Sequence, residues 1–196
     1  MPPVQSAPID LLAALAGALS RLHARWYVFG AQAVVLWGRP RLTADIDVTV
    51  RMDPEDPEQL VRTLESSGFS LRIGHTPEFV RRTRVLPFVH TASGLPVDVV
   101  LAGPGLEELF LSRAVPVRMG TLTVPVISPE DLIATKILAG RPKDIEDIRS
   151  ILRERLSVLD LDSIRSTLAL LEAALGQSDL RPLFERELAT EQARKT

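Results

Sequence analysis

The sequence contains no cysteine, so the chain can form neither a disulfide bond nor a thiolate metal site. Lysine is also scarce, with 3 lysines against 20 arginines, and each lysine therefore warrants inspection. The apolar run Leu11–Leu19 is too short to span a membrane. The sequence lacks the basic stretch, apolar run and cleavage site of a secretory signal, so we expect a cytoplasmic protein that makes no membrane contact.

The chain also lacks a strong positive charge, since its net charge is −2. Aromatic residues are scarce too, at 5 %. This composition argues against a surface that coats nucleic acid, although it is compatible with a local basic cleft. Hydrophobic residues at 45 % and charged residues at 24 % are typical of globular domains. The composition changes from strand-like to helical near Ser128, which predicts an α/β core over 1–128 and a helical subdomain over 129–196.

Hydrophobic periodicity predicts the elements of the chain. Spacing of three and four predicts helices over residues 10–25, 31–37, 58–67, 77–83, 105–113, 129–139, 145–152, 159–175 and 180–194. Short apolar or alternating runs predict strands over residues 26–29, 45–50, 69–73, 85–91, 95–101, 115–118 and 122–127. The last four of these strands form two hairpins, which turn near Ser93 and Gly120.

The stretch 26–51 carries the first candidate site. Because side chains alternate along a strand, Asp45, Asp47 and Thr49 share one face, and two of them are carboxylates about 6–7 Å apart at the backbone. Two such charges brought to about 4 Å repel by about 4 kcal/mol at an effective dielectric of 20. A divalent cation such as Mg²⁺ reverses that penalty, whereas the alternative interpretation is two solvated aspartates near a strand end.

Gly30 ends a predicted strand and opens a predicted helix. This arrangement places backbone N–H groups at a positive helix end, where phosphate binds, although many strand-to-helix turns use glycine for other reasons. The connection that follows contains Arg39 and Arg41, whose guanidinium groups either fork onto phosphate oxygens or are solvated in a loop.

Asp98 lies within the apolar run PVDVVL. A carboxylate there is costly unless it is paired, hydrogen-bonded or metal-bound, or unless it faces solvent on an antiparallel strand. Strands of one sheet can direct Asp45, Asp47 and Asp98 to one point. Three carboxylates are a suitable ligand set for one or two Mg²⁺ ions.

The helix predicted after Ser128 has a serine N-cap, proline at its first position and a lysine, Lys136, among its apolar residues. A buried ammonium needs an anion, so Lys136 either faces an acid- and phosphate-containing cleft or extends past the helix rim. Asp144 and Asp147 follow near the start of the next helix, where the helix dipole also favours acids.

Taken in order, these features resemble the nucleotidyltransferase superfamily that includes DNA polymerase beta. The resemblance lies in Gly30-Ala31 after a strand, in the motif R-x-T-x-D-x-D over residues 41–47, and in Asp98 on a later strand. The segment SPEDLIATKILAGRPKDIEDI, residues 128–148, looks like the AbiEii-type branch and its uncharacterised bacterial relatives. The resemblance covers residues 26–155.

The resemblance implies an α+β fold with a mixed β-sheet core, flanking helices and a C-terminal helical subdomain. It also implies transfer of a nucleotide from a nucleoside triphosphate with Mg²⁺, or Mn²⁺ in its place. The implied metal ligands and catalytic residues are Asp45, Asp47 and Asp98. The implied nucleotide-binding residues are Gly30, Ala31, Arg41, Thr43, Lys136 and Asp144.

Ala31 departs from the superfamily, which usually has Gly-Ser or Gly-Gly at this turn. Alanine removes a hydroxyl and keeps the backbone N–H donors. The resemblance implies an acceptor that is an RNA end, such as that of tRNA, or a protein hydroxyl, and a toxin that pairs with a cognate antitoxin. Two other interpretations stay open: a catalytically weak or inactive module that binds nucleotide or a partner, and an interaction protein that only uses the fold.

Overall fold

The computed structural model describes residues 7–39, 43, 45–72 and 77–194. The chain divides into two compact units. The first unit comprises Met1–Gln32 and Leu42–Ile127, and the second comprises Ala33–Arg41 and Ser128–Thr196. None of the helices in the described ranges combines the length and the apolarity that a bilayer-spanning segment needs.

The first unit is built on a seven-stranded sheet with the order β3-β4-β5-β2-β1-β7-β6. The β2–β5 and β1–β7 pairs are parallel and the other pairs are antiparallel, so the sheet is mixed. The predicted hairpins are confirmed, since β4 pairs with β5 and β6 pairs with β7. The strands are β1 Arg25–Phe29, β2 Ile46–Arg51, β3 Phe69–Leu71, β4 Val85–His90, β5 Pro96–Leu101, β6 Val115–Met119 and β7 Leu122–Val126.

Strand β2 sits at the centre of the sheet because its apolar residues alternate and bury one face. Ile46, Val48 and Val50 are 2 % exposed or less. Their register partners on β5, Val97, Val99 and Leu101, are equally buried. Each such side chain contributes about 1.5–3 kcal/mol by leaving water, so this face holds the register of the two strands.

Five helices begin in the first unit: α1 Ala7–Arg21, α2 Gly30–Trp37, α3 Pro57–Glu65, α4 Pro77–Thr83 and α5 Leu106–Arg113. Helix α1 buries a stripe of leucines and contacts β7 and α3. It ends at Arg21, four residues before the predicted end. The reason is a turn in which the Leu22 and Ala24 N–H groups both donate to Leu19 O, and in which His23 takes a φ of 50°.

The second unit contains four further helices: α6 Pro129–Ala139, α7 Pro142–Arg155, α8 Leu161–Leu175 and α9 Leu180–Ala193. Helix α6 begins as predicted, because Ser128 Oγ accepts a hydrogen bond from the Asp131 N–H at 3.0 Å. It ends at Gly140, which adopts a left-handed φ of 61°. Capping at both ends therefore fixes the length of α6.

Buried glutamates join the helices of this unit. Arg149 and Arg153 on α7 each contact a glutamate on α9, Glu187 and Glu191, at 2.7 Å. The hydrogen bond from Arg153 is the main cause that lowers the pKa of Glu191. The pairs repeat at a spacing of four on both helices, so they form a ladder along the α7–α9 contact.

The described elements make an α+β protein with a mixed sheet and flanking helices, and this prediction is confirmed.

Candidate functional site

Asp47 and Asp98 are register partners on the neighbouring parallel strands β2 and β5. Adjacent strands lie about 4.7–4.9 Å apart, and partners in register point to the same side of the sheet. Both side chains are half-buried. The structure therefore brings together two of the three predicted acids, at the end of the sheet where β1 stops and α2 starts.

Gly30 closes this arrangement from the backbone side. Its φ is +64°, and a Cβ built on it would lie 1.9 Å from Asp47 Oδ2. Glycine is required here for both reasons, since any side chain would strain the turn and displace the carboxylate. The register explains the contact, because Asp47 pairs with Phe29, the last residue of β1.

Gly30 and Ala31 are the first two residues of α2. Their N–H groups have no partner four residues earlier within the helix, and the positive end of the helix dipole lies here. The Ala31 methyl group leaves these backbone donors in place. Binding of phosphate by Gly30 and Ala31 stays a prediction.

Asp45 differs from the prediction, because it precedes β2 and is exposed. Two features end the ladder at Ile46. On one side, the position opposite Asp45 belongs to helix α2, since Phe29 is already the partner of Asp47. On the other side, the chain begins β5 with Pro96, which has no N–H to donate.

Thr43 lies beside Asp45 and donates a hydrogen bond from its Oγ1 to Asp45 Oδ1 at 2.8 Å. Arg41, the third nucleotide-binding residue predicted in this segment, lies outside the described residues. Within the described ranges, no three Asp, Glu or His side chains form a group that could hold a metal ion. The predicted three-acid metal site thus corresponds here to a close pair, with Asp45 next to it along the chain.

Arg72 contacts this pair and was not among the predicted residues. Its guanidinium donates to Asp98 Oδ1. The backbone explains the position, because the Arg72 N–H donates to Pro87 O at 2.8 Å and Pro87 is the register partner of Asp98. The signal in the sequence was Asp98 itself, a carboxylate in an apolar strand that requires a cationic partner.

Lys136, Asp144 and Asp147 form a second cluster, which lies in the helical unit. Lys136 Nζ donates to Asp144 Oδ1 at 2.9 Å and to Asp147 Oδ2 at 2.7 Å. The three residues are at most 7 % exposed. The buried ammonium therefore has anionic partners, and it does not extend past the helix rim.

Asp144 binds a second cationic group besides Lys136. Arg141 Nε also donates to Asp144 Oδ2 at 2.5 Å. Burial raises the pKa of Asp144, but hydrogen bonds and charges from Arg141 and Lys136 outweigh it and hold the pKa below its ordinary value. This cluster is a neutralised ion network; the predicted contact of Lys136 and Asp144 with nucleotide phosphates stays a prediction.

A groove of about 590 Å³ also lies in the helical unit, but none of the predicted site residues lines it. Two arginines on its wall already hold carboxylates, Arg165 on Glu185 and Arg181 on Glu172. The groove is lined by Arg165, Ser166, Ala169, Ser178, Arg181, Pro182 and Glu185.

The family described as "Nucleotidyltransferase of unknown function (DUF6036)" matches residues 10–179, which is most of the chain. The chain belongs to this family. The match includes the Asp47–Asp98 pair, Gly30 and the Lys136 cluster. No curated protein matches this nucleotidyltransferase-family chain.

Solved structures share the fold of this family member at low sequence identity. The solution structure of the antibiotic-resistance factor ANT(2'')-Ia has a TM-score of 0.60 and 15 % identity, covering 88 % of this chain and 95 % of that one. The crystal structure of ANT(2'')-Ia in complex with adenylyl-2''-tobramycin has a TM-score of 0.58 and 15 % identity, and the match covers 85 % of this chain and 98 % of that one. An antigenic nucleotidyltransferase-like protein from Paracoccidioides brasiliensis has a TM-score of 0.53 and 20 % identity, and the match covers 90 % of this chain and 91 % of that one.

Proposed function

We propose that the protein transfers a nucleotidyl group from a nucleoside triphosphate to a hydroxyl acceptor. The observation that carries the proposal is the Asp47–Asp98 pair on adjacent parallel strands, with Asp47 packed against the Gly30 backbone. Two neighbouring carboxylates beside a helix start join an anion-binding turn to a cation-binding pair. Nucleotidyl transfer needs an anion site and a cation site, because the triphosphate is bound together with a divalent counter-ion.

The residues of the pair fit a divalent cation. Their donors are carboxylate oxygens, which Mg²⁺ and Mn²⁺ prefer, and Asp98 is accessible, with 36 % of its side chain exposed. Arg72 already places one positive charge on Asp98, which marks the position as one that holds a cation. When bound, such a cation supplies charge neutralisation for the triphosphate and lowers the pKa of the acceptor hydroxyl.

The chain's own residues then have distinct roles in the proposal. The Gly30 and Ala31 N–H groups orient the phosphates, and Asp47 is kept beside them by the close contact with Gly30. Asp98 accepts the proton of the acceptor hydroxyl as its oxygen attacks the α-phosphorus. The bond from the α-phosphorus to the bridging oxygen breaks, and pyrophosphate leaves.

For the acceptor, we propose an RNA end, such as that of tRNA, or a protein hydroxyl. The support is the likeness of residues 128–148 to the AbiEii-type branch, in which toxins paired with a cognate antitoxin are common. The ion network of Lys136, Asp144 and Asp147 falls within that segment. The structural neighbour ANT(2'')-Ia carries an adenylylated tobramycin, so an aminoglycoside hydroxyl is the acceptor to set against these two.

A transfer assay tests the proposal. The purified protein is incubated with Mg²⁺, each of the four α-labelled nucleoside triphosphates, and total RNA, lysate protein or aminoglycosides in separate arms. We expect label on RNA or protein, and its loss in Asp47→Asn and Asp98→Asn. Asp10→Asn, an exposed aspartate of the same unit, is the matched control and should transfer label as the parent protein does.

The three arms also separate the acceptors. Label confined to aminoglycosides contradicts the RNA or protein acceptor and leaves the transfer itself supported. Label that persists in Asp47→Asn and Asp98→Asn removes the pair from the reaction.

A second candidate function, a module that binds nucleotide without turnover, is favoured by two observations. Ala31 departs from the Gly-Ser or Gly-Gly turn of the superfamily that the chain resembles, and the Arg72 guanidinium already contacts Asp98. Isothermal titration with a non-hydrolysable ATP analogue distinguishes the two functions. Micromolar or tighter binding with no label on any acceptor would favour the module over the transferase.

A further inference from the structure

Arg72 and Asp98 form an ion pair that is open to solvent. The Arg72 guanidinium contacts Asp98 Oδ1, and the two side chains are 37 % and 36 % exposed. Such pairs are held weakly, because water solvates both partners after separation. Asp98 can therefore exchange Arg72 for another cation without leaving either charge buried and unpaired.

The position of Arg72 is nonetheless built into the sheet. Its N–H donates to Pro87 O at 2.8 Å, next to the strand that carries Asp98. This backbone hydrogen bond keeps the Arg72 guanidinium within reach of the Asp98 carboxylate when no other cation is bound there. A fixed backbone with an exchangeable side-chain contact is what an internal counter-ion requires.

A positive charge on Arg72 lowers the repulsion between the two neighbouring carboxylates. Asp47 and Asp98 are adjacent in register, so their carboxylates repel unless a cation lies near them. A divalent cation on the pair would bind the Asp98 carboxylate, whose Oδ1 accepts a hydrogen bond from Arg72. The two cations therefore compete for the same carboxylate group, and the positive charge of Arg72 also repels the incoming ion.

We propose that Arg72 is an internal counter-ion of the Asp47–Asp98 pair and that a divalent cation must displace it from Asp98. Arg72 is then a positioning residue that sets the affinity of the site for its cation. The inference rests on the proposed function, since it concerns the cation that nucleotidyl transfer uses.

The test measures binding of Mn²⁺ alone, from the electron paramagnetic resonance signal of the free ion, with no nucleotide present. Arg72→Gln removes the charge and leaves a shorter polar side chain that still carries N–H donors. We expect its dissociation constant for Mn²⁺ to fall about three- to tenfold, while Arg72→Lys stays close to the parent protein. A residue with a merely structural role would not tighten binding when it is replaced.

Arg25→Gln is the matched control. Arg25 forms a comparable exposed ion pair with Glu108 at 2.7 Å, and it lies at the opposite end of β1 from the partner of Asp47. We expect its dissociation constant to change less than twofold. This control removes the same charge from the same unit without touching the pair.

A second readout is the melting temperature. Without Mn²⁺, Arg72→Gln should melt below the parent protein, because Asp98 loses its cationic partner beside the neighbouring Asp47 carboxylate. Saturating Mn²⁺ should remove that difference, so the stabilisation by Mn²⁺ is larger in Arg72→Gln than in the parent or in Arg25→Gln. A destabilisation that Mn²⁺ leaves unchanged contradicts the inference.

Failure of the inference is distinguishable from failure of the proposed function. Mn²⁺ binding that Asp98→Asn abolishes and Arg72→Gln leaves unchanged or weakens overturns the role of Arg72 and keeps the cation site. Absence of binding in both the parent and Arg72→Gln, or binding that Asp98→Asn does not alter, overturns the cation site and the inference with it.

Discussion

The sheet unit and the helical unit each hold a pair of neighbouring aspartates, and the pairs differ in exposure. Asp47 and Asp98 come from two strands and are half-buried, and the exposed Arg72 contacts Asp98. Asp144 and Asp147 lie three residues apart on α7 and are 0 % and 4 % exposed. The first pair can exchange its partner with a ligand from solvent, whereas the second is already neutralised inside the protein.

The difference shows why residue type alone does not identify a site. Both pairs consist of aspartates near a basic side chain, and each contains a predicted site residue: Asp47 and Asp98 for metal binding, and Asp144 for nucleotide binding. Breaking a buried pair leaves an uncompensated charge, which is strongly destabilising, whereas an exposed pair costs little to separate. We therefore expect substitutions in the helical pair to act on stability and those in the sheet pair to act on ligands.

The largest effect is expected from Asp144→Asn. Asparagine keeps the size of the side chain but removes the charge that Lys136 and Arg141 share. We expect the free energy of unfolding to fall by about 3–5 kcal/mol, measured by urea denaturation at pH 7. Asp179→Asn, an exposed aspartate of the same unit whose side chain makes no cap bond, should change it by less than about 0.5 kcal/mol.

A loss below about 1 kcal/mol for Asp144→Asn would contradict this comparison, because it is the size expected for an exposed pair. In that case, Asp147 alone would be a sufficient partner for Lys136.

Asp47→Asn should show the reverse behaviour. We expect nucleotidyl transfer to fall by about 10²- to 10³-fold, as for loss of one charge-stabilising group, with a change in unfolding free energy below about 1 kcal/mol. Label transfer and urea denaturation on the same preparation give the two values. A large loss of stability with parent-like transfer in the surviving folded protein would reverse the assignment of the two pairs.

Gly30→Ala tests the backbone side of the sheet pair. The left-handed φ costs an L residue about 1–2 kcal/mol, and the added Cβ would also push against Asp47 Oδ2. Gly94→Ala is a matched control, because Gly94 has a similar φ of +69° with nothing within 4 Å of its Cβ position. We expect similar strain in both variants and, in Gly30→Ala alone, at least about tenfold weaker transfer.

Equal transfer rates in Gly30→Ala and Gly94→Ala would show that the position of Asp47 relative to Gly30 has no role in the reaction. Rates are compared at protein concentrations corrected for the folded fraction, so the shared strain cancels.

Local signals in the sequence predicted most of the elements, since their physics is local. Ser128 and Gly140 delimit α6 because a cap needs only the residues next to it. The alternation of β2 placed Asp47 on the polar side for the same reason. The apolar neighbours of Lys136 on its helix left two alternatives open, burial or extension past the helix rim. Its partners could not be identified locally, because the turn at Gly140 brings α7 back onto α6.

Pairing between strands that no hairpin joins was beyond such signals. Asp45 seemed equivalent to Asp47 by alternation, yet β1 ends opposite Asp47, so the ladder stops before Asp45 is reached. Arg72 directly follows β3, and it reaches Asp98 on β5 because its N–H bonds to Pro87 on β4, the register partner of Asp98. Neither fact is encoded within a window of neighbouring residues; both require the register of non-adjacent segments.

The smallest effect we predict is on the pH dependence of the helical pair. The pKa of Asp144 is lowered in the folded protein, so its contribution to stability is complete above the unfolded value of about 3.9. It is lost as the pH falls through the lower folded value. The difference in unfolding free energy between the parent and Asp144→Asn should therefore be constant from about pH 7 to pH 5 and shrink below about pH 4.

Urea denaturation at intervals from pH 7 to pH 3 measures this difference, with Asp179→Asn again as the control. A difference that grows as the pH falls has the wrong sign for a lowered pKa. It would mean that burial, which opposes the charge on Asp144, outweighs Arg141 and Lys136 after all. The helical pair would then share a proton, and its contrast with the exposed sheet pair would lie in protonation as well as in burial.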